Sequence, residues 1–165
     1  MTGLLLVLVN FLFWIIVMFG AGIVVHFLPD WFYDCENIIF RPRRIEREGE
    51  IYSSLFGIKK WKDKLPECGE FFKFNPFNKK KLQRMKDPDY FRRFILETCR
   101  AEMTHIIPIA MYPLCLFWND YPSSLYMLIF VLVTNLPFLI IQRYNRIRLM
   151  RVLRQFELLA SGGVR

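Results

Sequence analysis

The chain has 165 residues, 54% hydrophobic and 17% aromatic, with a formal charge of +8 at pH 7. Its length fits one domain, and a mean hydropathy of +0.23 argues against an ordinary soluble globule. The basic excess flanks long apolar runs without any RNP, zinc-finger or helix-turn-helix pattern, so membrane lipids are the expected partners and nucleic acid is not.

All 23 Lys and Arg residues fall between Arg41 and Arg100 or between Arg143 and Arg165. Basic loops held on one side of a membrane give this segregation. Cys35, Cys68, Cys99 and Cys115 form no CxxC pair, and His26 and His105 are the only histidines. No metal centre and no bound cofactor are expected from that inventory.

In chain order, Leu4 to Leu28 is the first apolar run, long enough to cross ~30 Å of hydrocarbon. A cleaved signal would have a shorter apolar region behind a basic leader, so a retained span is expected. Gly20, Ala21 and Gly22 offer small residues for close helix approach. His26 is expected to be a solvated boundary residue.

Pro29, Pro42, Pro66 and Pro76 interrupt the next region, which argues against long helices there. Aromatics alternate with lysines through Tyr52, Phe56, Lys59, Lys60, Trp61, Lys62 and Lys64, then through Phe71, Phe72, Lys73, Phe74 and Phe77. That mixture suits short elements in the headgroup layer, rings inward and ammonium groups toward phosphate. A soluble core with a solvated face is the competing assignment.

Asp87-Pro88 reads as a helix start, and Phe91, Phe94, Ile95 and Thr98 continue at helical spacing. The helix is expected to run into the apolar stretch Met103 to Trp118, with kinks at Pro108 and Pro113. Asn119-Asp120-Tyr121-Pro122 makes a turn, and Ser123 or Ser124 is expected to cap a further apolar run, Leu125 to Ile141. A basic amphipathic helix should follow through Leu159.

The expected fold is thus one all-α integral membrane domain over 1–165. It has three transmembrane helices (about 4–28, 101–118 and 124–141), a basic, aromatic-rich interfacial region and a C-terminal amphipathic helix. Residues 29–100 and 142–165 would be cytoplasmic, with the N-terminus outside and the C-terminus inside. Self-association into a homo-oligomer is compatible with so small a scaffold.

Depth along the hairpin brings several polar residues together. His105 lies 13 residues before Trp118, roughly 20 Å along a helix, and Asn135 reaches a similar level on the antiparallel partner. Glu102 shares the face of His105 one turn nearer the cytoplasm, opposite Gln142, Arg143 and Arg146. Ionisable groups at such a boundary are functional candidates by default. His105 is the expected general base, with Glu102 orienting its imidazole and Asn135 donating to a developing oxyanion. Arg143, Arg146 and Arg148 are suited to fork around a phosphate or carboxylate, and Lys60, Lys62 and Lys64 to clamp a diphosphate. The structural alternative pairs Glu102 with Arg100, Arg143 or Arg146, and uses Asn135 to join two helices.

Three segments resemble the glycosyl-4,4'-diaponeurosporenoate acyltransferase family of staphyloxanthin-type carotenoid synthesis. They are Lys60-Trp61-Lys62-Asp63-Lys64-Leu65-Pro66, Glu97-Thr98-Cys99-Arg100-Ala101-Glu102-Met103-Thr104-His105, and Asn135-Leu136-Pro137 with Gln142-Arg143-Tyr144-Asn145-Arg146-Ile147-Arg148-Leu149. The resemblance implies transfer of a fatty acyl chain to a sugar hydroxyl of a glycosylated isoprenoid or other glycolipid, at the cytoplasmic face of a bacterial membrane. Acyl-CoA or an acyl-carrier protein is the expected donor, and a lipid the acceptor. His105, Glu102 and Asn135 form the expected catalytic set. Lys60, Trp61, Lys62, Lys64, Arg100, Gln142, Arg143, Tyr144, Asn145, Arg146 and Arg148 are the expected substrate contacts. The alternative function is a non-enzymatic lipid-binding or assembly subunit of a lipid-modifying complex.

Overall fold

The computed structural model describes residues 3–64 and 87–162. The second aromatic–lysine cluster, Phe71 to Phe77, lies outside these residues, as does Cys68. Helix α1, Gly3–Phe27, has no acidic or basic residue before His26. Asn10, Trp14, Ala21 and Val25 are its buried residues, one stripe at helical spacing. The other faces leave Leu4, Val7, Phe11, Ile16 and Phe19 more than half exposed. Ala21 is the small residue at the contact, whereas a methyl group added to Gly20 would meet nothing within 4 Å.

After Pro29 the chain makes a 3-10 turn, Asp30–Tyr33, and the Tyr33 hydroxyl donates to the Val25 carbonyl at 2.6 Å. A kinked 3-10 segment, Arg44–Gly49, leads into the short helix α2, Glu50–Ser54. Two further 3-10 turns, Ile58–Lys60 and Lys62–Lys64, follow. No long helix forms in the described part of this proline-broken stretch.

Helix α3 spans Pro88–Met111, and Asp87 caps it by accepting from the Asp89 amide at 2.9 Å. Pro88 occupies the first turn, where its missing N–H has no helical partner to lose. Pro108 lies inside the helix, and Pro113 falls in the 3-10 segment Tyr112–Phe117 that follows. Helix α4 spans Tyr121–Gly162. It begins before the expected serine caps: Asp120 takes the Ser123 amide on its side chain (3.2 Å) and the Ser124 amide on its carbonyl (2.9 Å). The expected apolar span and the basic amphipathic helix are therefore one continuous helix, with Pro137 inside it.

Among the described residues, α1 and α4 are long and apolar enough to cross a membrane, with mean hydropathies of 2.7 and 2.2 over their apolar windows. No strand is present among the described residues. Asn10, near the amino end of α1, meets the α3–α4 connection: Trp118 Nε1 donates to its Oδ1 (3.0 Å), and Asn119 exchanges amide hydrogen bonds with it (both 2.8 Å). Val25, near the other end, packs with Tyr33, Phe40 and Cys99. Hence α1 runs antiparallel to α3, and α3 antiparallel to α4. Pairing these amides matters because an unmet N–H in apolar surroundings costs several kcal/mol, on the order of 2–7.

Candidate functional site

Two apolar clusters flank the α3–α4 pair at the end away from Asn10. One is Val25, Tyr33, Phe40 and Cys99; the other is Tyr52, Ile58, Tyr144 and Ile147. Between them lie four charged side chains. Glu102 and Arg146 are each 1% exposed. Arg143 donates to Glu102 Oε1 through Nη1 (2.8 Å) and to Glu46 through Nε and Nη2 (2.8 and 3.0 Å). It also reaches the carbonyls of Ile39 and Arg41, both at 3.2 Å. Arg146 forms an ion pair with the other oxygen of Glu102, approaches Cys99 Sγ at 3.6 Å, and lies over the Phe40 ring at 5.8 Å.

Glu46 has further donors in the Tyr52 hydroxyl and the Arg43 amide. Burial alone pushes its carboxyl up, but hydrogen bonds from Arg143, Tyr52 and Arg43 outweigh that and hold it below the ordinary glutamate value. Burial, reinforced by Glu46, raises the Tyr52 phenol to about 12, so it remains a neutral donor. Glu46 was not among the expected site residues. It sits within a turn-rich run of arginines, where periodicity gives no depth to read.

The convergence of Glu102, Arg143 and Arg146 follows the sequence geometry, whereas the partner of His105 differs from the expected one. His105 Nδ1 lies 3.1 Å from Asn135 Oδ1, and Phe138 stacks on the imidazole at 5.0 Å with an 11° tilt. The Asn135 amide donates to the Val131 carbonyl (2.9 Å) and to Thr134 Oγ1 (3.1 Å). A carbonyl can only accept, so Nδ2 must face Val131 and Oδ1 must face His105. His105 Nδ1 then carries the hydrogen, leaving the Nε2 lone pair as the basic site. Asn135 fixes the tautomer, the role expected of Glu102, and its amide hydrogens are not turned toward an incoming oxyanion. Glu102 is held away by two guanidinium groups.

The remaining expected contacts separate into groups. Arg100 pairs with Asp30 and with Glu97 (3.1 Å) and lies over Tyr33 at 5.1 Å; Arg93 joins the same carboxylates at 2.8 and 2.9 Å. Gln142 has a buried Oε1 without a hydrogen-bond donor among the described residues. Tyr144 is buried against Tyr52, edge to face at 6.3 Å, and Asn145 is half-buried. Arg148 is exposed, with its guanidinium over Tyr144 at 5.5 Å. Lys60 and Lys64 are exposed and Lys62 half-buried, while Trp61 Nε1 donates to the Phe56 carbonyl at 2.8 Å. The lysine run is thus on a different element from His105. Arg143 and Arg146 have their charge met by carboxylates, whereas Arg148 has no carboxylate partner among the described residues.

Comparison with known proteins adds an independent finding. The family model described as glycosyl-4,4'-diaponeurosporenoate acyltransferase matches residues 29–155. Proteins of that name from Staphylococcus aureus strains bovine RF122 / ET3-1 and MRSA252 are each 31% identical over 144 residues, covering 87% of this chain and 85% of theirs. No solved structure matches.

Proposed function

Because the chain belongs to the glycosyl-4,4'-diaponeurosporenoate acyltransferase family, we propose that it moves a fatty acyl group onto a sugar hydroxyl of a glycosylated carotenoid-type lipid. The carrying observation is the His105–Asn135 pair, a half-buried imidazole with its tautomer set and its ring held by Phe138. In this reading the acceptor hydroxyl oxygen attacks the carbonyl carbon of a thioester donor, acyl-CoA or an acyl-carrier protein. His105 Nε2 takes the hydroxyl proton as the C–O bond forms. The C–S bond then breaks, and the leaving thiolate recovers that proton, giving an ester and a free thiol.

Asn135 acts as a positioning residue through His105. The unmet Gln142 oxygen is suited to accept from a sugar hydroxyl. The buried ion-pair cluster holds the inner ends of α3 and α4 in register so that the two residues meet. We place the reaction at the cytoplasmic face, because the basic blocks lie at this end of the hairpin. The apolar half of α3, with the 3-10 segment after it, completes a third crossing beside α1 and α4.

The test is mass spectrometry of lipids from cells that supply the acceptor pathway and express the wild type or His105→Ala at equal levels. A glycolipid gaining one fatty acyl mass with the wild type alone is the expected result. Equal acylation by a well-folded His105→Ala protein would end the mechanism. Acylation by neither protein would favour a lipid-binding subunit.

A further inference from the structure

A cleft of about 1160 Å³ opens between the Arg44–Gly49 corner, α2 and the far side of α4. Its lining includes Arg47, Lys59, Arg148 and Arg151 against Glu48 and Glu50, an excess of two positive charges, with Ile51 and Leu55 among its apolar walls. Arg151 is engaged with Glu48, reaching its carbonyl and, at 3.5 Å, its carboxylate. Arg47, Lys59 and Arg148 have no carboxylate partner among the described residues. The corner is held open by three consecutive left-handed residues, Arg47 (φ 44), Glu48 (φ 52) and Gly49 (φ 92).

What lies next to the cleft on α4 identifies its occupant. Tyr144, Arg148 and Arg151 continue a stripe made by Tyr126, Ile129, Val133, Leu136 and Ile140, at an average spacing close to the helical repeat. Val133 is 65% exposed, Ile129 51% and Leu136 40%, so this part of the stripe has no covering helix, while Ile140 is half-buried against the Tyr52 and Ile58 cluster at the foot of the cleft. From Val133 to Tyr144 it runs 11 residues, roughly 16 Å of helix. One leaflet of hydrocarbon is about 15 Å thick, half the usual core. A cationic cleft thus stands at the head of a leaflet-length apolar track.

We infer that this face of α4 binds an anionic phospholipid, its phosphate among Lys59, Arg47 and Arg148 and one chain along Ile140, Leu136 and Val133. Asn135 and Arg146 project from the opposite side of α4, toward α3, so this site is separate from the His105 pair. It does not depend on the acyl-transfer reading.

The test is spin-label partitioning. The full chain is placed in phosphatidylcholine vesicles carrying traces of labelled phosphatidylglycerol or labelled phosphatidylcholine. Each surface cation is worth about 1 kcal/mol toward an anionic lipid, so the wild type should prefer phosphatidylglycerol by roughly fivefold or more. Lys59→Glu/Arg148→Glu should remove that preference, and Lys59→Gln/Arg148→Gln should reduce it if the charge reversal fails to fold. No preference in the wild type, or an undiminished one in a folded variant, overturns the assignment. A non-hydrolysable acyl-CoA thioether is then titrated in. Failure to displace the labelled lipid from the wild type supports the phospholipid, whereas its full displacement at stoichiometric thioether assigns the cleft to the acyl donor instead.

Discussion

Glu102 neutralises two arginines at once, one of them as buried as itself. Removing one partner of a buried ion pair strands the other, which costs ~3–5 kcal/mol, while replacing the whole pair by apolar groups is often nearly neutral. Glu102→Ala should therefore lower the thermal midpoint sharply in detergent, and adding Arg146→Met should restore much of the loss. A mild effect of Glu102→Ala with no recovery in the double variant would show that the carboxylate is not a structural anchor. Sequence spacing alone brings Glu102, Arg143 and Arg146 to one depth, because both helices are regular there. It does not reveal which groups pair. Two arginines outcompete an imidazole for a carboxylate, and Asn135, level with His105, supplies the acceptor instead.

At the scale of elements, Glu46 fastens the irregular segment after α1 onto α4 through Arg143. Its folded carboxyl lies below the ordinary value of about 4.3, so this fastening is fully present above that value. It is lost as pH falls through the lower, folded value. The midpoint gap between the wild type and Glu46→Gln should be wide at neutral pH and close on acidification; a gap that widens in acid would reverse the assigned sign. This anchor was illegible in the sequence. Helical phase predicts the partners of residues on helices, but a chain turning through left-handed Arg47 and Glu48 has no phase. The start of α3 was legible because Asp87-Pro88 is a local signal, while α4 merged two expected helices because nothing after Ile141 interrupts its hydrogen bonding.

For the whole molecule, α1 and α4 present apolar side chains outward along much of their length. Soluble monomers rarely expose so continuous an apolar surface. The α3–α4 connection shares an end with Asn10, so one labelling experiment reports on both. In a variant lacking native cysteines, a single cysteine at Ser123 should react with an impermeant maleimide in intact cells. One at Arg154 should react only after permeabilisation. The reverse pattern would invert the chain in the membrane, and labelling of both from outside would mean that α4 does not cross.

The separation in sequence of the buried partners has a consequence for how the protein is made. Glu46 and Glu102 are synthesised 97 and 41 residues ahead of Arg143, which both require. A nascent chain that has completed α1 and α3 thus carries two carboxylates without their guanidinium groups until the stretch of α4 around Arg143 has been made. Chains stopped before Arg143 would present quality-control proteases with an open intermediate whose two carboxylates lack their partners.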